Sequence, residues 1–349
     1  MIKARRWFEN EDIDRGIIIS SRVRLARNLR GYLFPHKMGF EQAGQLIDEL
    51  KTSIINERNP IVALLDYVEL SSMPHTTLSR LAESHTISAE MVNKNYRRAL
   101  ITDAPENMAI MLNEEDHVRI QGIFHGENID KAYDTASRLD DFMSESLEFS
   151  FDADFGYLTT CPTNTGTGLR ASYMLHLPMM EATGLLKSRA DYITKAGYAI
   201  RGLYGEGSSS MGSIYQISNQ VTLGKREDEI IAALKDLANR LIEHENTLRQ
   251  DYQKEFSAEC EDRVYRAYGI LSNCRKISLS EAMTLLSELR LGKMMNILPD
   301  AIVGMTIYNF MINIQPFNLC QITGYVDNTR KLDISRATYI RSVLSKSML

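Results

Sequence analysis

Between Gly156 and Leu177 the chain reads GYLTTCPTNTGTGLRASYMLHL. An apolar segment enters Cys161-Pro162-Thr163-Asn164, turns through threonine and glycine to Gly168, and leaves at Arg170 on a second apolar run, so one backbone bend holds a thiol and a guanidinium. Small residues there let a ligand approach the backbone closely, and Gly166 or Gly168 suits dihedrals that other residues avoid. A hydroxyl-rich hairpin with an incidental cysteine is the plain alternative. In IIISSRVRLAR, Val23 separates Arg22 from Arg24, and on an extended backbone the period of two puts both arginines on one face. Two guanidinium forks side by side suit a polyphosphate, with a nucleic-acid backbone or a merely solvated face as competing uses. Further arginines stand in or beside strand-like segments at Arg119, Arg170 and Arg201.

The acids complement these cations. Glu114, Glu115 and Asp116 directly follow the apolar run Met108 to Leu112, and three adjacent acids there call for a cation or a cationic substrate unless they form a polar turn. Glu206 is the one acid of a Gly/Ser loop after Arg201, a loop that matches neither GxGxxG nor GxxxxGK[ST]. Arginines from several strands would bind the phosphates of a nucleotide and stabilise a phosphoryl group in transfer, while the acids orient a cationic acceptor. His85 reads as structural.

These groups need a scaffold. Apolar positions at helical spacing predict helices over Glu41 to Asn59, Ile129 to Leu147, Glu181 to Ala196 and Glu227 to Gln250. Strands are expected at Ile17 onward, Met108 to Leu112, the segment resuming at Arg119, Tyr198 onward and Ile214 to Leu223, while Val62 to Leu70 reads as a strand or a short buried helix. Beyond about Asp251 the pattern is helical, with Ser278 and Glu281 forming a capping box and further helices over Ile302 to Ile314 and Ser335 to Leu344.

A chain of 349 residues is long enough for two domains, and its net charge of -5 gives no global attraction to nucleic acid or anionic lipid. Anion binding must therefore come from local arginines. Acidic residues follow the basic N-terminus where a signal peptide needs an apolar run, and no segment is apolar over the roughly eighteen residues of a membrane span, which predicts a cytoplasmic protein. Cys161, Cys260, Cys274 and Cys320 form no CxxC pair, so neither a zinc site nor a disulfide framework is expected.

The segments SSRVRLAR, NEEDHVRI, CPTNTGTGLRAS and RG-x-x-G-E resemble, in order and approximate spacing, the catalytic core of the phosphagen kinases, the creatine and arginine kinases, over roughly Ile17 to Gln250. The resemblance implies an α+β fold, an antiparallel sheet flanked by helices in residues 1–253, followed by a mostly helical domain over 254–349. It implies that Arg22, Arg24, Arg119, Arg170 and Arg201 bind the phosphates of ATP, with Ser20 a further contact. Glu115 and Glu206 would clamp the acceptor guanidinium, Glu115 being the better candidate for general base, and Cys161 would touch the same group as a thiolate. Mg2+ would ride on the nucleotide phosphates, with Glu114 as an outer acid and no protein metal cluster.

Departures from the pattern are informative. No room remains before Ser20 for the helical domain that precedes the core in kinases of small guanidines. Met174 stands where those kinases commonly have a histidine near the adenine, and Gln216 where an aspartate is often found near the ribose. The added C-terminal helices, Ser218 to Gln220 and Gln315-Pro316 are similar to the bacterial protein-arginine kinases within this family. That resemblance implies phosphorylation of arginines in proteins that marks them for regulated degradation in the stress response. It also implies a C-terminal domain for dimerisation and phosphoarginine recognition, with Asp333 and Arg336 as candidates, a McsA-type activator, the ClpC/ClpP protease and a CtsR-type repressor as client. The competing readings are a kinase of free arginine or another small guanidine, a non-catalytic phosphoarginine-binding adaptor, and a nucleic-acid protein.

Overall fold

A computed structural model describes residues 5–55, 61–202, 210–299, 305–324 and 328–345. Its N-terminal elements are β1 Ile18–Arg27, α1 Phe40–Ile54, β2 Leu65–Glu69, α2 His75–Glu83, β3 Ala99–Asp103, β4 Met108–Leu112, β5 Val118–His125 and α3 Ile129–Ser144. There follow β6 Phe151–Asp152, β7 Gly156–Tyr157, β8 Leu169–His176, α4 Pro178–Ala182, α5 Leu185–Lys195, β9 Tyr198–Gly202 and β10 Ile214–Asn219. Helices complete the chain: α6 Glu227–Glu255, α7 Ser257–Asn273, α8 Leu279–Met294, α9 Ile307–Asn313, α10 Pro316–Thr323 and α11 Thr329–Ser345. Eight strands form one sheet in the order β2-β3-β4-β5-β1-β8-β10-β9, and β6 pairs with β7. The pairs β2–β3, β3–β4, β4–β5 and β1–β5 are antiparallel.

The chain divides into two compact units, one built chiefly from Ser20–Tyr173 and Ser218–Lys235, the other from Phe8–Ile19, Met174–Ile217 and the residues from Asp236 onward. In the first, alternation sorts β1 cleanly: Val23 and Leu25 are buried, while Arg22 and Arg24 are half-buried on the opposite face. Helix α3 covers the Val23 side. Gly122, paired with Val23, is needed there, because a Cβ would lie 2.4 Å from the Ala132 carbonyl oxygen of α3. On the arginine-bearing side, Leu78, Leu81 and Met91 pack with Leu100, Ala109 and Met111 of β3 and β4.

The second unit buries charge deliberately. Arg290 of α8 pairs with Asp14 at 3.4 Å, both side chains being fully buried, and donates to the Gly16 carbonyl at 2.7 Å. Asp14 also accepts from the Tyr308 backbone N–H at 3.3 Å and from that of Ile307. On α6, Glu245 pairs with Arg249 at 2.7 Å and accepts the backbone N–H groups of Met179 and Met180, fixing the turn after β8. Each of these two carboxylates thus has both oxygens hydrogen-bonded, without which the desolvation would be prohibitive. Met179, Cys260, Leu291 and Met295 form an apolar cluster beside them.

The expected helices appear with shifted ends. Ser278 caps α8 by accepting from the Glu281 N–H at 3.2 Å, which is one of the two bonds of the expected capping box. Helix α6 runs five residues past the predicted Gln250 to Glu255, and Val62 to Leu70 proves to be both a 3-10 turn, Val62–Leu64, and strand β2. Among the described residues no helix is long and apolar enough to cross a membrane.

Candidate active site

Register brings the arginines together. In the β1–β5 pairing Ala26 lies opposite Arg119 and Arg24 opposite Gln121, and directly opposed residues share a face, so Arg119 joins Arg22 and Arg24. Strand β8, on the other side of β1, carries Arg170. Arg24 feels the whole set: burial, then the charges of Arg22, Arg119 and Arg170, hold its guanidinium well below the usual arginine range, against a smaller opposing pull from Glu114. Four like charges around one strand are costly for a protein alone and favourable beside a polyanion.

The hairpin from β4 to β5 supplies the acids. It turns through Asn113, whose φ of 59° is a left-handed conformation that asparagine tolerates, with the Asn113 N–H donating to the His117 carbonyl at 2.9 Å. The turn carries Glu114 inward. Its Oε1 accepts from Arg119 at 2.9 Å and from Ser88 Oγ at 2.6 Å, and its Oε2 accepts the Glu115 N–H at 2.6 Å. Burial works to raise the Glu114 pKa, but Arg119, Ser88, the Glu115 N–H and Arg24 together outweigh it and the pKa is lowered. Glu114 is therefore committed to fixing Arg119, and its hydrogen bonds leave it poorly suited as an outer acid for magnesium. Glu115 is partly exposed and pairs with the second nitrogen of Arg119, so a single guanidinium bridges both acids. Burial pulls Arg119 down, yet Glu114, Glu115 and Asp116 raise its pKa.

The third acid holds the thiol loop. Asp116 Oδ1 accepts from Asn28 Nδ2 at 2.8 Å and from the Thr160 backbone N–H at 2.7 Å. Asn28 in turn accepts the His117 N–H at 2.9 Å. One carboxylate thus ties the residue after Glu115 to the residue before Cys161. Cys161 is half-buried, its Sγ 3.1 Å from Thr163 Oγ1, and it opens the 3-10 turn Pro162–Asn164. The loop returns at Gly168, whose φ is +70° and whose Cβ would meet Arg27 and the Ala26 carbonyl within 2.6 Å. Arg170 then donates to Ser218 Oγ at 3.1 Å, and Asn219 clamps β8 by accepting from Ala171 N–H and donating to the Leu169 carbonyl.

The remaining candidates divide between the two units, and one falls outside the described residues. Ser20 is buried on β1 opposite His125. Arg201 lies exposed on β9 in the second unit, and Glu206 falls in 203–209, outside the described residues. His85 is structural: burial and the charge of Arg22 push its pKa down to about 3, and its carbonyl accepts from Gln121. Asp333 and Arg336 bond each other at 2.6 Å, and Arg336 also donates to the Ile277 and Ile314 carbonyls from a buried position. Sequence reading missed the positioning by Asp116, Asn28 and Ser88, since it depends on partners distant in sequence; Ser218 to Gln220 did carry a signal. Among the described residues no group of three or more His, Cys, Asp or Glu could hold a metal ion.

Comparison with known proteins accords with this geometry. Residues 46–248 match the family described as ATP:guanido phosphotransferase, C-terminal catalytic domain, and residues 257–348 match the protein-arginine kinase McsB C-terminal domain. A protein-arginine kinase of Clostridium kluyveri is 39% identical over 338 residues, 97% of each chain. One of Bacillus mycoides is 40% identical over 340 residues, covering 97% of this chain and 95% of that protein. Among solved structures, the duplicated taurocyamine kinase of Schistosoma mansoni with bound transition-state-analogue components superimposes with a TM-score of 0.61 at 27% identity, over 71% of this chain and 35% of that one. With the arginine-bearing sheet, the acid hairpin and near full-length relatives in agreement, the chain belongs to the protein-arginine kinases of the ATP:guanido phosphotransferase family.

Proposed function

We propose that this chain transfers the γ-phosphoryl group of ATP to arginine side chains of proteins. The observation that carries the reading is the shared guanidinium: Arg119 belongs to the arginine face and is ion-paired to Glu115, so phosphate-binding and base functions meet at one residue. Arg22, Arg24, Arg119, Arg170 and Arg201 bind the phosphates, with Ser20 beside them. Glu115 and Glu206 clamp the acceptor guanidinium, and Cys161 orients it as a thiolate without forming a covalent intermediate.

In the step itself, Glu115 accepts a proton from the acceptor nitrogen as that nitrogen's lone pair attacks the γ-phosphorus. A P–N bond forms, the bond from phosphorus to the bridging oxygen breaks, and ADP leaves with the electron pair. A protonated guanidinium is a poor nucleophile, so a base within reach and an in-line alignment are the principal demands. Magnesium would ride on the nucleotide phosphates and would supply charge neutralisation there.

Residues 1–253 form the phosphotransferase domain and 254–349 the domain for dimerisation and phosphoarginine recognition. We further propose, on the strength of the family resemblance, that the enzyme acts in the cytoplasm during stress, answers to a McsA-type activator, and marks clients such as a CtsR-type repressor for the ClpC/ClpP protease. The test is phosphorus NMR of an unstructured, arginine-rich protein incubated with enzyme, Mg2+ and ATP, with free L-arginine in parallel and Cys161→Ala as control. An acid-labile P–N resonance on the protein alone is expected; a signal on free arginine alone overturns the reading.

A further inference from the structure

An open cavity of about 510 Å³ lies at the base of the Cys161 loop, lined among others by Tyr133, Phe151, Tyr157, Arg226, Glu227 and Asp228. It belongs to the first unit and takes no part in the chemistry above. Phe151 is 61% exposed and stands edge-on to Tyr157 at 5.2 Å, and Phe155 of the same β6–β7 hairpin is also exposed. Aromatic rings on a short polar hairpin forfeit burial unless something covers them.

Charge says what. The hairpin carries Asp152 and Asp154, and the first turn of α6 carries Glu227, Asp228 and Glu229, against Arg226. The cavity's ring and acid already meet guanidinium groups of the chain itself: Arg27 stacks on Tyr157 at 3.5 Å from the ring centre, and Arg226 engages Asp228 at 3.0 Å from an exposed position. Tyr133 donates to Glu227 and holds that carboxylate at the rim. Rings with adjacent carboxylates bind a planar cation through its face and its edge together.

We propose that this cavity is a docking subsite for a second arginine side chain of the polypeptide substrate. The inference rests on the reading that the acceptor is a protein. It also joins the subsite to the reaction: Tyr157 and Gly166, both lining the cavity, exchange backbone hydrogen bonds of 2.8 and 3.2 Å that close the loop with Cys161 between them. A substrate held there is anchored at the root of the loop that meets its acceptor arginine.

The test uses the full chain without ATP and a fluorescent Gly/Ser peptide carrying two arginines, compared with the same peptide carrying citrulline in their place. The arginine peptide is expected to bind about tenfold more tightly, and Phe151→Ala combined with Asp228→Asn to remove most of that difference. In turnover, Phe151→Ala is expected to raise KM about fivefold for an unstructured arginine-rich protein with kcat unchanged, and to spare a single-arginine peptide. Equal binding of the two peptides overturns the proposal, as does an equal rise in KM for both substrates, which marks a general disturbance of the loop. Loss of self-association in Phe151→Ala, seen by sedimentation, would instead make the occupant a second copy. Because binding is read without ATP, it stands or falls apart from phosphoryl transfer.

Discussion

Asp116 accepts the Thr160 backbone N–H at 2.7 Å, across 44 residues of sequence, and so couples the position of Glu115 to that of Cys161. Replacing Asp116 with Ala removes this bond and the one from Asn28, leaving the part-buried Thr160 N–H without this acceptor and the buried Asn28 amide with only its bond to the Leu158 carbonyl. A stability loss of about 1–3 kcal/mol is expected from urea unfolding. Turnover should fall by about tenfold to a hundredfold, since small misplacements of reacting groups are costly. A variant that loses stability but keeps full kcat would show that the tether serves only the fold.

Glu115→Gln preserves shape and hydrogen bonding but abolishes the base. Calorimetric titration should find ATP affinity near normal, while phosphoryl transfer followed with labelled ATP drops by about two or more orders of magnitude. Unchanged turnover would remove Glu115 from the mechanism.

Arg24 illustrates a conflict between stability and binding. Burial and three neighbouring guanidinium groups disfavour its charge, so Arg24→Met should raise the melting temperature of the free protein while weakening ATP binding severely. Added ATP should stabilise the unmodified protein, by about 2.7 kcal/mol at a hundred times Kd. A melting temperature that falls in Arg24→Met would contradict the repulsion inferred here.

Histidines make the fold acid-sensitive. Burial and Arg22 push His85 down to about 3, and burial with the charges of Arg290 and Arg249 pushes His176 well below its ordinary value. Both are neutral in the folded state, whereas the unfolded chain takes up their protons below about 6.5. Their contribution is present above that pH and lost as pH falls toward 3, at roughly 1.4 kcal/mol per unit for each histidine. His85 has φ of 61°, which asparagine accommodates, so His85→Asn should flatten the slope of unfolding free energy against pH between 4 and 6. An unaltered slope would assign the acid sensitivity to other groups.

What could be read from the sequence followed the range of the interactions. The period of two along β1 put Arg22 and Arg24 on one face, and the Ser278 cap and the apolar stripe of α6 were visible because each is decided within a few residues. Arg119 was identified by type, but its place beside Arg24 depends on the β1–β5 register, which no local pattern fixes. Local pattern alone does not separate Glu114 from Glu115, and only the family resemblance gave them different roles. The left-handed turn at Asn113 buries the first and leaves the second partly exposed, dividing an anchor from a candidate base. Asp333 and Arg336 stood out in the sequence only as candidates for phosphoarginine recognition, and neither their ion pair nor the closure of Arg336 against backbone carbonyls was legible there.

The bond between Arg290 and Asp14 also bears on how the chain is made. Asp14 and Gly16, which lead directly into β1, find their guanidinium partner 276 and 274 residues later. At ribosomal speeds of about 5–20 residues per second, the first of these waits roughly 15 to 55 seconds. Throughout that interval the nascent N-terminal segment lacks its buried counter-charge. The entrance to β1 can therefore settle only late in synthesis, after α8 has left the ribosome.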